Sequence, residues 1–307
     1  MKTVGVIGVG FVGSQVCKDL IDQGYKVVAI DNLYLPCDHI FGLLDAEYKK
    51  FEFHVADVRD RTKIARIFRK CDVCIASYGV VGAPKVEADI ELSRDINVNS
   101  AKVVSEIFNS RPVINCSSGS IYGVIEDLCT EDSIPNPTSE YGIQKKEAED
   151  IFNDMLHSVS LRFATGCGLS LKFRKSLLPN TFTYDAITNG VINMAQAESY
   201  RTFISVRDMS RALIWSAKNI NNIKDKVFNC GDESLNMTKD ELAKKIREKT
   251  GCKLKYEFDY VDPDSRNYKV STERINKAGW KTIYSMDEII EDMIQAIPLL
   301  TKHGNYE

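Results

Sequence analysis

Hydrophobic residues in the first half of the chain fall into short continuous runs separated by stretches with a three-to-four-residue period. KTVGVIGV (2–9) is apolar, β-branched and ends in glycine, as a buried strand would, and FVGSQVCKDLIDQG (11–24) has helical spacing closed by Gly24. YKVVAID (25–31) reads as a second strand, followed by the strand FEFHVAD (51–57), a helix over RTKIARIFRK (61–70) and the strand CDVCIAS (71–77). A helix near 94–109, the strand PVINCSS (112–118), a helix from about 140 to 157 and the strand SLRFA (160–164) continue the alternation. Strands alternating with helices pair in parallel through right-handed crossovers, so the expected fold class is α/β with a doubly wound parallel sheet.

After Ala164 the alternation loosens. Residues 166–183 hold glycines, basic residues and Pro179 ahead of a helix near 182–197, and RTFISVRDMSRALIWSAKN (201–219) reads as a strand returning into a helix. KVFNCG (226–231), a helix in MTKDELAKKIREKTG (237–251), the strand LKYEFDY (254–260) and a helix after SMDE (285–288) finish the chain. Thr238 and Glu241 stand three apart, the spacing of a capping box. The expected organisation is a nucleotide-binding domain over 1–165 plus about 200–220. A smaller C-terminal α/β substrate domain is expected from discontinuous segments, about 166–199 plus 221–307.

The 307 residues, 44% hydrophobic and 27% charged, are enough for a large core. A net charge of −3 gives no general attraction for a polyanion, so nucleic acid is not an expected partner. Nine scattered cysteines, an odd number in a chain this long, suit a reducing cytoplasm. Cys71 and Cys74 form a lone C-x-x-C inside an apolar run and read as core thiols; the histidines at 39, 54, 157 and 303 lack ligand spacing, so no metal is expected. No apolar run reaches a membrane span and no leader pattern precedes the first strand, so no membrane partner is expected.

The chemistry begins at GVGFVG, where Gly8, Gly10 and Gly13 have G-x-G-x-x-G spacing between a strand and a helix. The first glycine permits a tight turn, the second close approach of a pyrophosphate, and the third close packing of helix on strand. Asp31, 18 residues after Gly13 at the end of the next strand, suits an adenosine ribose and repels a 2′-phosphate, favouring NAD over NADP. Asp57, in VADVRD at another strand end, is a candidate for the adenine amino group.

With SSGSIYG (117–123) and YGIQK (141–145) added, the chain resembles the extended short-chain dehydrogenase/reductase family, the nucleotide-sugar epimerases and dehydratases with a Rossmann fold. The resemblance covers nearly the whole chain: GVGFVG, DNL, ADVRD, VVGAPKVEADIELSRDINVNS, SSGSIYG, YGIQK, RTFISVRD and DPDSRNYKVS occur in order. One departure is Ile7, standing where the family's G-x-x-G-x-x-G has its first glycine. The resemblance implies NAD contacts at Gly8, Gly10, Phe11, Val12, Gly13, Asp31, Asn32, Asp57, Val58, Ala76, Tyr141 and Lys145. It also implies Ser118, Tyr141 and Lys145 as catalytic residues. Tyr141 and Lys145 lie on one helical face, where an ammonium favours the phenolate, so that Tyr141 can take a proton from a sugar hydroxyl.

The family's 4,6-dehydratases follow the catalytic Ser or Thr with Asp and Glu; here Gly119 and Ser120 stand there, which argues against dehydration. Related 3,5-epimerases carry cysteine where Ser120 stands, and a serine is a much weaker acid. Hydride chemistry alone remains. Implied contacts to a nucleotide-diphosphate sugar are Tyr78, Val81, Gly82, Ser118, Ser120, Arg174, Asn180, Arg201 and Arg266, the arginines for paired phosphate oxygens. Asp208 reads instead as a cap for the helix that follows it. Galactose-type epimerases carry asparagine where Thr165 stands, so a different hold on the sugar is expected.

The expected activity is an NAD-dependent nucleotide-sugar 4-epimerase working through a transient 4-keto sugar. The alternative is a dehydrogenase or keto-sugar reductase with net NAD(H) turnover, and a non-catalytic NAD sensor ranks third. The helices near 94–109 and 140–157 resemble the pair that forms a four-helix interface in the family, so a homodimer is expected.

Overall fold

The computed structural model describes residues 1–46, 49–223, 226–257 and 267–301. Strands β1 (Thr3–Ile7), β2 (Lys26–Asp31), β3 (Phe51–Val55), β4 (Val73–Ala76) and β5 (Val113–Ser118) alternate with helices α1 (Phe11–Asp22), α2 (Ile40–Ala46), α3 (Arg61–Ile67), α4 (Ala83–Ala88), α5 (Ile90–Arg94) and α6 (Ser100–Ile107). The chain continues through β6 (Val124–Cys129), α7 (Glu140–Asn153), β7 (Ser158–Phe163), β8 (Thr165–Cys167), α8 (Leu178–Thr188), β9 (Val191–Ala195), β10 (Tyr200–Ser205), α9 (Val206–Asn219) and β11 (Val227–Cys230). It ends with β12 (Asn236–Thr238), α10 (Lys239–Thr250), β13 (Lys253–Glu257), β14 (Asn267–Val270), α11 (Glu273–Lys277) and α12 (Met286–Thr301).

Seven parallel strands form the main sheet in the order β11-β7-β5-β4-β1-β2-β3. The chain reverses its direction of growth between β1 and β4, the point at which sheets of this kind form a binding crevice outside the carboxyl ends of their strands. Both faces are covered, which is why β4 and β7 are buried along their whole length rather than alternating. Val16, Leu20, Ala212 and Leu213 from α1 and α9 pack on one face; Ile64, Ala101, Val104, Ala148 and Phe152 from α3, α6 and α7 pack on the other. Cys71 and Cys74 are buried in that second layer, where burial pushes both thiols up, Cys71 to about 12.

A smaller core forms from Phe182, Ile192, Phe203, Leu242, Ile246, Ile290 and Met293. Its strands pair as β8-β10-β12 and β9-β13.

Four local expectations differ from the structure. Residues 227–230, grouped by sequence with the smaller unit, extend the main sheet as β11, because their apolar run matches the register of β7. The helix expected near 182–197 starts earlier, with Pro179 in its first turn, and stops before Gly190, whose φ of +67° breaks it; VINMA then forms β9. The helix near 94–109 is α5 and α6 joined by a π-helical turn, Asp95–Asn99. Ser205 rather than Asp208 caps α9. Asp208 is fully buried and accepts from the Ile283 and Tyr284 amides, pinning the C-terminal segment to α9. The Thr238–Glu241 capping box forms as the spacing predicts.

Candidate active site

The glycine turn sits between β1 and α1, at the crevice. Gly8 has φ +84° and its Cα faces the backbone of Tyr78, 2.8 Å from where a Cβ would stand; a Cβ on Gly13 would lie 1.8 Å from the Gly8 carbonyl oxygen. Both positions therefore exclude any side chain. Gly10 differs, because nothing lies within 4 Å of a Cβ built there. It caps α1 with no side-chain hydrogen bond. That open helix N-terminus with bare backbone is a cradle suited to a diphosphate.

Asp31 holds the cradle in shape: its Oδ2 accepts from the Val9 amide at 2.8 Å and its Oδ1 from the Leu33 amide at 2.9 Å. His39, which no spacing rule singled out, donates from Nε2 to the Val9 carbonyl at 2.7 Å, and burial lowers its pKa, favouring the neutral ring. Phe11 starts α1 and lies against Gly166, whose built Cβ is 3.4 Å from the Phe11 ring, while Val12 packs on the core. Asn32 is exposed beside the turn and accepts from the Tyr34 amide. Asp57 accepts from Arg59 Nε and Nη2 at 2.9 and 2.8 Å, and this partner lowers its pKa. Both of its oxygens are engaged, so Arg59 competes for the adenine contact expected of it. Val58 and Ala76 are buried in the layer below. The open Gly10 backbone, with the Asp31 carboxylate at the end of β2 beside it, suits a dinucleotide. Gly13→Ala is expected to weaken NAD binding by at least about tenfold and to destabilise the fold by roughly 1–3 kcal/mol, since the intruded atom is backbone; isothermal titration and thermal melting check both.

Ser118 ends β5 and Tyr141 opens α7, capped by Ser139. Gly142, which no spacing rule singled out, lets the start of α7 close on the end of β5: a Cβ there would lie 2.7 Å from the Ser120 carbonyl oxygen, so the helix start abuts the 118–120 turn. Ser118 Oγ accepts from the Ser120 amide and donates to Ser120 Oγ, both at 3.1 Å. Lys145, one helical turn after Tyr141, donates from Nζ to the Cys116 carbonyl at 2.9 Å on β5. Tyr141, Lys145 and Ser118 are each under 10% exposed.

Two networks hold this helix. Asn97, in the π turn, clamps the loop after β4: its Oδ1 accepts from the Val80 amide at 2.8 Å, and its Nδ2 donates to the Val80 carbonyl and to Gln144 Oε1. A π turn inserts one residue and turns Asn97 toward that loop. No sequence period marks it. Glu149, four residues beyond Lys145, accepts from Ser117 Oγ at 2.6 Å and pairs with Arg162 of β7 at 2.7 Å. Burial works against the Arg162 charge, but the Glu149 bonds outweigh it and raise its pKa above the ordinary value.

On the substrate side the expected residues divide. Tyr78 turns its hydroxyl inward to accept from Ser100 Oγ at 2.8 Å and packs its ring against the core, while its Cα and Cβ stand against Gly8 of the glycine turn. Asn180 is fully buried, with Oδ1 accepting from the Gly168 amide and Nδ2 donating to the Gly168 and Arg174 carbonyls, so its amide shapes the 168–174 loop. Val81 and Gly82 line the loop leading into α4, and Arg174 Nη2 donates to the Val81 carbonyl at 3.4 Å. Arg201 is buried on β10, donating to the Tyr200 carbonyl. Arg266 lies outside the described residues.

Relatives agree with this architecture. UDP-glucose 4-epimerase from Lactobacillus helveticus is 26% identical over 94% of this chain and 95% of its own. Among solved structures, UDP-glucuronic acid 4-epimerase from Bacillus cereus superposes with a TM-score of 0.83 at 19% identity, covering 97% of this chain and 99% of that one. UDP-glucose 4-epimerase from Thermotoga maritima gives 0.84 at 21%, with the same coverage. At such identities the two structures establish the fold. The family model for the NAD dependent epimerase/dehydratase family matches residues 4–231, about three quarters of the sequence, and the chain therefore belongs to that family.

Proposed function

We propose that this protein is an NAD-dependent 4-epimerase of nucleotide-diphosphate sugars, acting on a UDP-hexose-type substrate. The observation that carries the reading is the packing of the α7 start on the 118–120 turn, with Lys145 tied to β5, beside a glycine turn shaped for a diphosphate. In this reading Gly8, Gly10 and Gly13 hold the pyrophosphate and Asp31 the adenosine ribose. Bound NAD would supply a hydride acceptor and then a donor. Tyr141 takes the proton of the sugar O4 hydroxyl and returns it; Ser118 hydrogen-bonds the same oxygen; Lys145 keeps positive charge beside the phenol and reaches the nicotinamide ribose. The α7 start and the Asn97-clamped loop wall the reacting carbon from water.

Gly119 and Ser120 leave no carboxylate beside Ser118 to protonate a departing hydroxyl, which supports epimerisation over dehydration. The smaller core around α8, α10 and α12 supports a sugar-nucleotide half built from 166–199 and from most of the chain after 230. The test is incubation of purified protein with UDP-hexoses and no added cofactor. Isomerisation without lasting reduced-nicotinamide absorbance is expected; stoichiometric absorbance change would assign net oxidoreduction instead.

Exposed Ile90 and Leu92, next to Arg94 and its Glu140 and Glu147 partners on α7, support a homodimer through this face; a monomer mass by light scattering would count against it. Among the described residues no helix is long and apolar enough to cross a membrane. The nine cysteines are free thiols, in keeping with a reducing cytoplasm.

A further inference from the structure

The segment between β2 and α2 is held by bonds rather than by burial. Residues 32–36 are all exposed, Tyr34 by 84%, and Leu33 has φ +58°, a left-handed backbone that sterics disfavour for any residue with a Cβ. Its near end is fixed by Asp31, whose Oδ1 accepts from the Leu33 amide at 2.9 Å, and by Asn32, whose Oδ1 accepts from the Tyr34 amide at 3.1 Å. Its far end returns to the glycine turn, where His39 Nε2 donates to the Val9 carbonyl at 2.7 Å. The segment is therefore a strap that leaves the carboxyl end of β2 and lands on the cradle suited to a diphosphate. The second ring nitrogen, His39 Nδ1, is buried with no hydrogen-bond partner among the described residues, an orphan acceptor of the kind a bound hydroxyl satisfies.

The middle of the strap is tied from elsewhere in the fold. Lys172, half-buried on the loop between β8 and α8, donates from Nζ to the Pro36 carbonyl at 2.5 Å, 136 residues away in the chain. That loop is itself well held: Ser170 Oγ donates to the Lys172 carbonyl at 2.7 Å, and buried Asn180 bonds Gly168 and Arg174 on either side of it. Lys172 is thus presented by a braced loop to an exposed segment that has little else to keep it in place. Among these side-chain ties it alone reaches the strap from the half of the molecule read as substrate-side. Breaking it frees the middle of the strap while leaving both ends anchored, which is local opening rather than unfolding.

We infer that Lys172 is a positioning residue that latches the strap over bound NAD, so that release of the dinucleotide requires the strap and the β8–α8 loop to part, and a nucleotide bound beside that loop slows the release. The coupling to a nucleotide rests on the nucleotide-sugar reading of the site. The test follows exchange of bound NAD for deuterium-labelled NAD by mass spectrometry, with and without UDP. UDP should slow exchange from wild type. Lys172→Met should exchange about 3- to 10-fold faster, the range for one charged hydrogen bond at a half-buried position, and should lose the response to UDP. Lys172→Arg, which keeps a donor of similar reach, should restore most of both. The NAD-free forms of Lys172→Met and wild type should melt together, since a tie to an exposed segment adds little to global stability. Exchange at the wild-type rate in Lys172→Met overturns the latch, as does a UDP effect that survives the substitution, or UDP that binds wild type by calorimetry without slowing exchange. A NAD-free Lys172→Met that melts below wild type also overturns it, giving the residue a structural role instead. If UDP does not bind at all, the nucleotide-sugar reading fails while the exchange rate of Lys172→Met still decides the latch.

Discussion

Tyr141→Phe should lower kcat by about 10²- to 10⁴-fold, the usual worth of a positioned acid–base group, while leaving the NAD affinity within a few-fold of wild type. The phenol carries the only proton transfer in the proposed reaction, and removing one oxygen leaves the packing of the ring intact. The ring is 9% exposed and sits on α7, whose start is fixed by the Ser139 cap and the Gly142–Ser120 contact, neither of which the substitution touches. A single-turnover assay with tightly bound NAD separates chemistry from binding. Retention of more than a tenth of wild-type kcat would remove Tyr141 from the chemistry.

The second large effect is on stability. Glu149→Ala should destabilise the fold by about 3–5 kcal/mol, because it strands the Arg162 guanidinium in a site where both side chains are at most 6% exposed. Arg162 would keep only Tyr122, whose hydroxyl it meets at 2.8 Å, and weaker neighbours. The paired replacement Glu149→Leu with Arg162→Met should recover much of that loss, since two apolar groups need no counter-charge. Denaturant unfolding measures both, and the sign of their difference is the informative quantity. Activity should not recover in parallel: Glu149 also accepts from Ser117 and so ties α7 to the end of β5, where Ser118 stands. A double variant with wild-type stability and wild-type kcat would show that this pair has no part in placing Tyr141 and Lys145.

Much of the fold was legible because local pattern and tertiary role coincide in a parallel sheet. Strands buried on both faces must be apolar throughout, and each expected strand up to SLRFA lies in the main sheet. The pattern is ambiguous where the same signal fits two neighbours. VFNC is equally good as an edge strand of either unit, and only pairing with β7 assigns it to the large sheet. The stretch after residue 182 mixed helical spacing with β-branched residues, and a left-handed backbone at Gly190 settled which prevailed at each position.

The site divides the same way. Chain order alone located the glycine turn between β1 and α1, Asp31 at the end of β2, and Tyr141 and Lys145 one turn apart on α7, because each depends on spacing within one or two adjoining elements, and short spacing survives any packing. Only the tertiary structure decided which way the remaining side chains point. Tyr78 turned inward to Ser100, Asn180 was spent on its own loop, Asp208 bound a distant backbone, and Asn97 and Glu149 emerged as holders of the site. Those outcomes are set by partners up to 76 residues away, as between Asp208 and Tyr284. Hydrogen-bond satisfaction in a buried crevice is a property of the whole assembly, so no window of sequence contains it.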